Sequence, residues 1–207
     1  MGITNFDIDL LERVFKLQPI HTVIELGAQQ TYVIGERYGQ YADWYYRMKG
    51  CQYKCIDISA ENNAIPMDLS KTVFNVSNDK VLPYTGIRAD LVTDFGTSEH
   101  IGTNGAFDWQ AIYNCWVTKH AMLKAGGIMV NENPATGNWP GHGFNYYTEE
   151  FYIQLAHEMS YEIIEIGRHP AMGNTTDGWN IYCVFRKIED KDFMPIESFK
   201  KLQLLLQ

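Results

Sequence analysis

Long apolar runs are missing from this sequence, and so is any strongly basic stretch. Its longest apolar segments fall far short of the roughly 20 residues that span a bilayer, so no membrane-spanning helix and no membrane partner are expected. The N-terminus, MGITNFDIDLLERVF, lacks the basic-then-apolar pattern of a secretory signal, so a cytoplasmic location is expected. There is no Lys/Arg cluster, Lys200-Lys201 being only a pair, and the 207 residues carry a net charge of −8. A duplex nucleic-acid binder shows a basic patch, so the charge argues against nucleic acid and for a small or neutral substrate. Cysteine is sparse: Cys51, Cys55, Cys115 and Cys183 form no CxxC pair. Neither a zinc site nor a disulfide scaffold is indicated, and buried thiols are expected. No HExxH or comparable spacing occurs, so no metal is expected, although Asp94, Glu99, His100 and His142 carry ligand atoms. Asp94-Phe95-Gly96 has the letters of a kinase DFG, but the HRD loop, glycine-rich flap and VAIK strand are absent. The GxGxxG fingerprint of dinucleotide-binding sheets is absent as well.

What is present is an alternation of strands and helices. With 45% hydrophobic and 20% charged residues, the composition is that of one globular domain over residues 1–207, long enough for a sizeable core. In HTVIELGAQQT, residues 21–31, the β-branched Val23 and Ile24 read as a buried strand and Gly27 as a turn. Good helix formers follow from Tyr32, which predicts a helix to Met48 whose free N–H groups face a ligand. Before this, Asp7 to Leu17 has helical spacing, with Asn5 or Asp7 as cap. Later strands are expected at Gln52–Ile58, Ala64–Met67, Ala89–Thr93, Ile128–Asn131, Tyr161–Gly167 and Trp179–Arg186. Helices are expected at Phe107–Leu123 and from Thr148, an N-cap, to Met159. Residues 73–86 connect two of these strands. Residues 134–147 form a long irregular loop rich in glycine and aromatics, which suits binding better than spacing. In the tail, Phe199, Leu202 and Leu206 form an apolar stripe to be covered by the body, or by a second copy in a homodimer.

Five strand–helix units followed by two late strands resemble the class I S-adenosylmethionine-dependent methyltransferases. The resemblance covers about residues 20–187, flanked by a short N-terminal helix and a helical tail. It implies a Rossmann-like, doubly wound seven-stranded sheet, mostly parallel with the last strand antiparallel, in a three-layer α/β/α sandwich. It also implies S-adenosyl-L-methionine as cofactor. The first motif resembles Glu25-Leu26-Gly27-Ala28, with Gln29, Gln30 and Thr31 where many members have further glycines. The ribose-binding acid maps onto Asp57, followed by Ile58, and the adenine-side acid onto Asp68, between Met67 and Leu69. The fourth motif maps onto Asp94-Phe95-Gly96, and Leu123 to Gly127, LKAGG, matches the turn before strand five. For Asp57 the alternative reading is a simple cap.

The expected function is methyl transfer to a small-molecule or sugar-like acceptor. The alternatives are a nicotinamide-dependent Rossmann oxidoreductase and a non-catalytic module that binds the adenosyl cofactor. Candidates for the acceptor side follow strands four and five, at the edge where open sheets bind ligands. His100 is the first candidate base, because imidazole titrates near neutrality, and His142 the second. Glu99, Asn133, Trp139 and Tyr146 are the candidate substrate contacts, with the aromatics placed to stack on an acceptor or to fill the loop. His21, His120, His157 and His169 are read as structural.

Overall fold

The computed structural model describes residues 2–32, 40–71, 88–171 and 178–202. Seven strands form one sheet in the order β3-β2-β1-β4-β5-β7-β6: β1 Thr22–Leu26, β2 Gln52–Asp57, β3 Ile65–Pro66, β4 Ala89–Phe95, β5 Leu123–Pro134, β6 Tyr161–Pro170 and β7 Trp179–Lys187. The pairs β1–β2, β1–β4, β2–β3 and β4–β5 are parallel, whereas β7 runs antiparallel to both neighbours. Helices α1 (Asn5–Phe15) and α2 (Asp43–Met48) cover one face. Leu10, Leu11 and Val14 of α1 and Tyr46 of α2 pack there against Val23, Leu91, Phe95 and Val130. On the other face, α3 (Trp109–Met122), α4 (Glu149–Met159) and α5 (Ile196–Phe199) enclose a second core with Ile24, Leu26, Val92, Met129 and Phe185. All four cysteines are buried free thiols.

Capping chemistry sets most helix starts. The Asp108 carboxylate accepts from Gln110 and Ala111 N–H at the head of α3, and Thr148 Oγ1 accepts from Phe151 N–H at the head of α4. For α1 the cap is Thr4 rather than Asn5 or Asp7, and Asp7 reaches back to accept the Thr4 N–H. Asp7 is fully buried beside Glu132 of β5, and burial pushes both carboxyls up. His169 Nε2 lies 3.0 Å from Glu132, and the Phe6 ring stacks on His169 at 3.7 Å, so α1 docks through a polar knot.

Of the helix expected from Tyr32 to Met48, the described part is α2, from Asp43. Thr31 donates its N–H and its hydroxyl to Gln40 O, and Gln30 bridges Tyr41. Residues 33–39 lie outside the described residues, as do the expected connection at 73–86 and Leu206 of the tail. Phe199 and Leu202 are buried, with Phe199 against Tyr113, Phe151 and Phe193. Strand β4 runs two residues past the expected Thr93, so Asp94 and Phe95 are strand residues, and α3 ends at Met122, before LKAGG.

Two buried acids fix the ends of the central strands. Glu25, near the end of β1, accepts from Tyr53 OH at 2.6 Å and Tyr46 OH at 3.2 Å, and burial raises it to about 8. Asp94, near the end of β4, is fully buried yet held low: burial opposes ionisation, and the Lys119 ammonium overrides it. Lys119 is itself fully buried on α3, with Nζ 2.8 Å from Asp94 and 3.6 Å from the centre of the Trp116 ring.

These two acids give two tests. Lys119→Met leaves the Asp94 charge buried without its partner and is expected to cost about 3–5 kcal/mol of stability, read by denaturant unfolding; a loss under 1 kcal/mol would mean that the pair is loose. For Glu25 the folded value lies above the unfolded one, so its contribution is full below about pH 4 and is lost as pH rises to about 8. Glu25→Gln is therefore expected to flatten the fall in stability between about pH 5 and 8, with the remaining slope from the other raised acids, Asp7, Glu99 and Glu132. An unchanged profile would show that Glu25 is ionised throughout.

Candidate active site

The central crevice opens at the C-terminal ends of β1 and β4, where neighbouring strands send their connections to opposite sides of the sheet. A cavity of about 330 Å³ occupies it, within the range of small-molecule sites. Its wall comprises Gly27, Ala28 and Gln29 after β1; Ile56, Asp57 and Ile58 at the end of β2; Met67, Asp68 and Leu69 after β3; and Gly96, Thr97, His100 and Ile101 after β4. Nine of the expected cofactor residues thus meet at one place: Gly27, Ala28, Gln29, Asp57, Ile58, Met67, Asp68, Leu69 and Gly96.

Gly27 adopts φ +78°, and a Cβ there would come within 2.5 Å of Thr97 Oγ1 and 2.6 Å of Gln29 Nε2. Both a positive φ and a filled space therefore demand glycine. Gln29 Nε2 donates to Leu26 O and to Thr97 Oγ1, and Thr97 Oγ1 donates to Leu26 O. The amide side chain thus occupies the inside of the turn and ties it to the one after β4. Gln30 and Thr31, which follow this turn, form isolated bridges to Tyr41 and Ile3, so the described part of this connection puts no helix N-terminus at the cavity. The expected N–H-lined anion site is replaced by a carboxylate: Asp57 Oδ2 accepts from Ala28 N–H at 2.9 Å.

Asp57 Oδ1 also accepts from the N–H and hydroxyl of Ser59, at 2.9 and 3.1 Å. Each carboxylate oxygen has two lone pairs, so Oδ2 retains room for one further donor. Asp68 accepts from Ser70 and pairs with Lys71 at 2.9 Å, and the Ser70 hydroxyl, partly opposed by burial, holds its carboxyl low. Beside these acids Ile58 stands 78% exposed at the lip, an apolar face for a planar ring.

Three expected cofactor residues do not line the cavity. Glu25 is turned to Tyr46 and Tyr53, Phe95 packs in the core beneath α1, and Asp94 is held by Lys119. Asp94 acts one layer down: its Oδ1 accepts the N–H groups of Thr97 and Ser98, each at 3.1 Å, and so shapes the turn that presents Gly96, Thr97 and His100. Lys119 was not among the sequence candidates, although it shares a helix face with Ile112, Cys115 and Met122. A lysine on a stripe that apolar is itself a signal of a buried partner.

On the acceptor side, the loop after β5 is stitched to the turn after β4. Glu99 O accepts from Phe144 N–H at 2.6 Å and Asn145 N–H at 3.0 Å, and the Asn145 amide donates to Ser98 O and Ile101 O. Gly143 permits this approach, since a Cβ there would lie 2.8 Å from Glu99 O. The stitching brings His142 against His100, with ring centres 4.9 Å apart, and both rings over the fully buried carboxyl of Glu99. Asn133 donates to Glu99 Oε2 at 3.0 Å and accepts from Tyr152 OH. Trp139 and His142 line an open cleft of about 510 Å³ with Asn138 and Pro140. Tyr146 is fully buried: its hydroxyl donates to Trp139 O and accepts from the N–H groups of His142 and Gly143, so it is a loop brace with no face for substrate. Asn133 is likewise buried beneath Glu99 and touches no open space.

Burial, then the neighbouring His142, lowers His100 to about 4, and burial lowers His142 as well. Burial thus opposes the protonated form of His100, the first candidate base. Glu99 is pushed up by burial and then by the charge of Asp94.

No protein-family model and no curated protein matches the chain. Solved structures do. The 1,6-didemethyltoxoflavin-N1-methyltransferase of Burkholderia thailandensis, solved with 1,6-didemethyltoxoflavin and S-adenosylhomocysteine, matches with a TM-score of 0.59 at 14% identity over 87% of this chain and 76% of its own. The N-methyltransferase NodS of Bradyrhizobium japonicum, in complex with S-adenosylhomocysteine, matches with a TM-score of 0.60 at 14% identity, over 90% and 89%. An S-adenosylmethionine-dependent methyltransferase of Methanosarcina mazei matches with a TM-score of 0.55 at 11% identity, over 87% and 98%. With its strand order, its antiparallel β7 and these structural likenesses, the chain has the fold of the class I S-adenosylmethionine-dependent methyltransferases.

Proposed function

We propose that this protein is an S-adenosylmethionine-dependent methyltransferase acting on a small-molecule acceptor. One observation carries the reading: residues far apart in sequence, matching the family's motifs in order, line a single cavity at the switch point of the sheet. Two carboxylates and an exposed apolar lip suit an adenosine with a cationic tail. Ile58 and Leu69 would flank the adenine, Asp68 would stand at its edge, Asp57 would take a ribose hydroxyl, and the Gly27 and Gly96 turns would lie along the amino-acid part. The structural neighbours solved with S-adenosylhomocysteine support the same cofactor.

When bound, S-adenosylmethionine supplies an electrophilic methyl group on a positive sulfur. The protein's task is then to hold the acceptor in line and keep water out. His100 lines the cofactor cavity and His142 the neighbouring cleft, so the two imidazoles mark the passage between cofactor and acceptor. They would face the acceptor and help to position it. Trp139 offers a ring for a planar or sugar-like acceptor. The net charge of −8 continues to disfavour nucleic acid. The missing GxGxxG and the antiparallel β7 disfavour a nicotinamide enzyme.

Isothermal calorimetry tests cofactor identity. S-adenosylhomocysteine is expected to bind and NAD is not; heat from NAD alone would overturn the reading. Asp57→Ala removes one charge-assisted hydrogen bond of about 1.5–3 kcal/mol as well as the brace on Ala28. Affinity for S-adenosylhomocysteine is expected to fall at least about tenfold with the fold intact by circular dichroism. An unchanged dissociation constant would leave Asp57 as a turn cap only. Tight cofactor binding with no transfer to any acceptor tried would favour the non-catalytic module.

A further inference from the structure

We propose that Glu99, His100 and His142 form a binding site for one first-row divalent transition-metal ion at the acceptor end of the cavity. The donor atoms converge: Glu99 Oε1 lies 3.6 Å from His100 Nε2 and 3.9 Å from His142 Nε2, and all three fall within 4.8 Å of one another. These separations are too long for hydrogen bonds. Two of the atoms, Glu99 Oε1 and His142 Nε2, are buried with no hydrogen-bond partner among the described residues. An orphaned carboxylate oxygen and an orphaned imidazole nitrogen facing each other are costly unless something sits between them. An ion about 2.0–2.2 Å from each donor would satisfy both.

The surroundings match a metal site in two further ways. Glu99 Oε2 accepts from Asn133 Nδ2, and Asn133 Oδ1 accepts from Tyr152 OH, so the carboxylate is oriented by a buried relay with Oε1 left free. The rings are partly open, with side-chain exposures of 43% for His100 and 30% for His142 over a fully buried Glu99, so the ion would keep open positions toward the cavities. Two imidazoles and one carboxylate suit zinc, iron, copper or nickel better than magnesium and calcium, which take oxygen ligands.

An open position on such an ion takes an oxygen and lowers its pKa. On the methyltransferase reading we take the acceptor to be a hydroxyl: its oxygen would occupy that open position, its O–H proton would pass to solvent, and as the oxygen bonds to the methyl carbon the methyl–sulfur bond would break and release S-adenosylhomocysteine. The acceptor class rests on the methyltransferase reading; the ion site does not.

The test is a Co²⁺ titration of the tag-free full chain, followed by equilibrium dialysis and visible absorption, alongside S-adenosylhomocysteine calorimetry. One Co²⁺ per chain is expected, with the d–d bands of nitrogen and oxygen ligands and no thiolate charge transfer. His142→Ala and Glu99→Gln are expected to weaken binding at least about 100-fold, since even a metal site's outer-shell partners are worth about 10–100-fold. His157→Ala, an exposed histidine elsewhere, is expected to leave it unchanged. If Glu99→Gln does not fold, His142→Ala, on a surface loop, decides. No Co²⁺ binding by a chain that binds S-adenosylhomocysteine overturns the ion site alone, as does binding that His142→Ala leaves intact. Co²⁺ binding without S-adenosylhomocysteine binding upholds the ion site and sinks the methyltransferase reading, and the hydroxyl acceptor with it.

Discussion

The buried pair of Asp94 and Lys119 is the contact on which the rest of the site depends. Against two well-packed apolar side chains such a pair adds little net stability, because desolvating both charges offsets their attraction. Its effect is positional. Lys119 keeps the carboxylate ionised inside the core, and an ionised carboxylate accepts strongly from the N–H groups of Thr97 and Ser98. That bends the chain sharply after β4. Thr97 then reaches Leu26 O and Gln29, which closes the turn after β1, while Glu99 and His100 are aimed across the crevice. One charged group at a strand end thereby sets both the cofactor wall and the acceptor wall.

Much of this was legible in the sequence because sheet periodicity is a strong signal. The runs at Val23–Ile24, 89–93 and 128–131 read as strands, and glycine after β1 marks a turn for a reason the structure makes explicit: Thr97 and Gln29 fill the space where a Cβ would go. The acids at 57 and 68 are reached through the family resemblance. What stayed hidden depends on contacts distant in sequence. Nothing local says that Glu25 will turn to two tyrosines, or that Asp94 will find a lysine on the next helix. Thr31 binds Gln40 O, a contact that helix propensity cannot register. Tyr146 looked like a stacking residue, but its hydroxyl braces the backbone of its own loop.

The altered glycine loop also acquires a physical reading. Where relatives leave open space with further glycines, Gln29 folds inward and makes two hydrogen bonds beneath the turn. The turn is thus held from below by an amide and from the side by Asp57. A cofactor meets a wall already braced in the absence of ligand, and so pays less to order it. The acceptor side is built on the same plan: Asn145 and Gly143 fasten the long loop to the β4 turn, and the side chains that face open space, His100, His142 and Trp139, are the ones left to meet a ligand.

The most direct test of this arrangement is a crystal structure with S-adenosylhomocysteine bound. The account predicts adenine against Ile58, a ribose hydroxyl on Asp57 Oδ2, and the sulfur pointing along the Gly96 turn toward His100, with the Asp94–Lys119 pair and the Thr97 and Ser98 contacts unchanged. A ligand bound outside the β1–β4 crevice, or one seated with its amino-acid end toward Asp68, would contradict it.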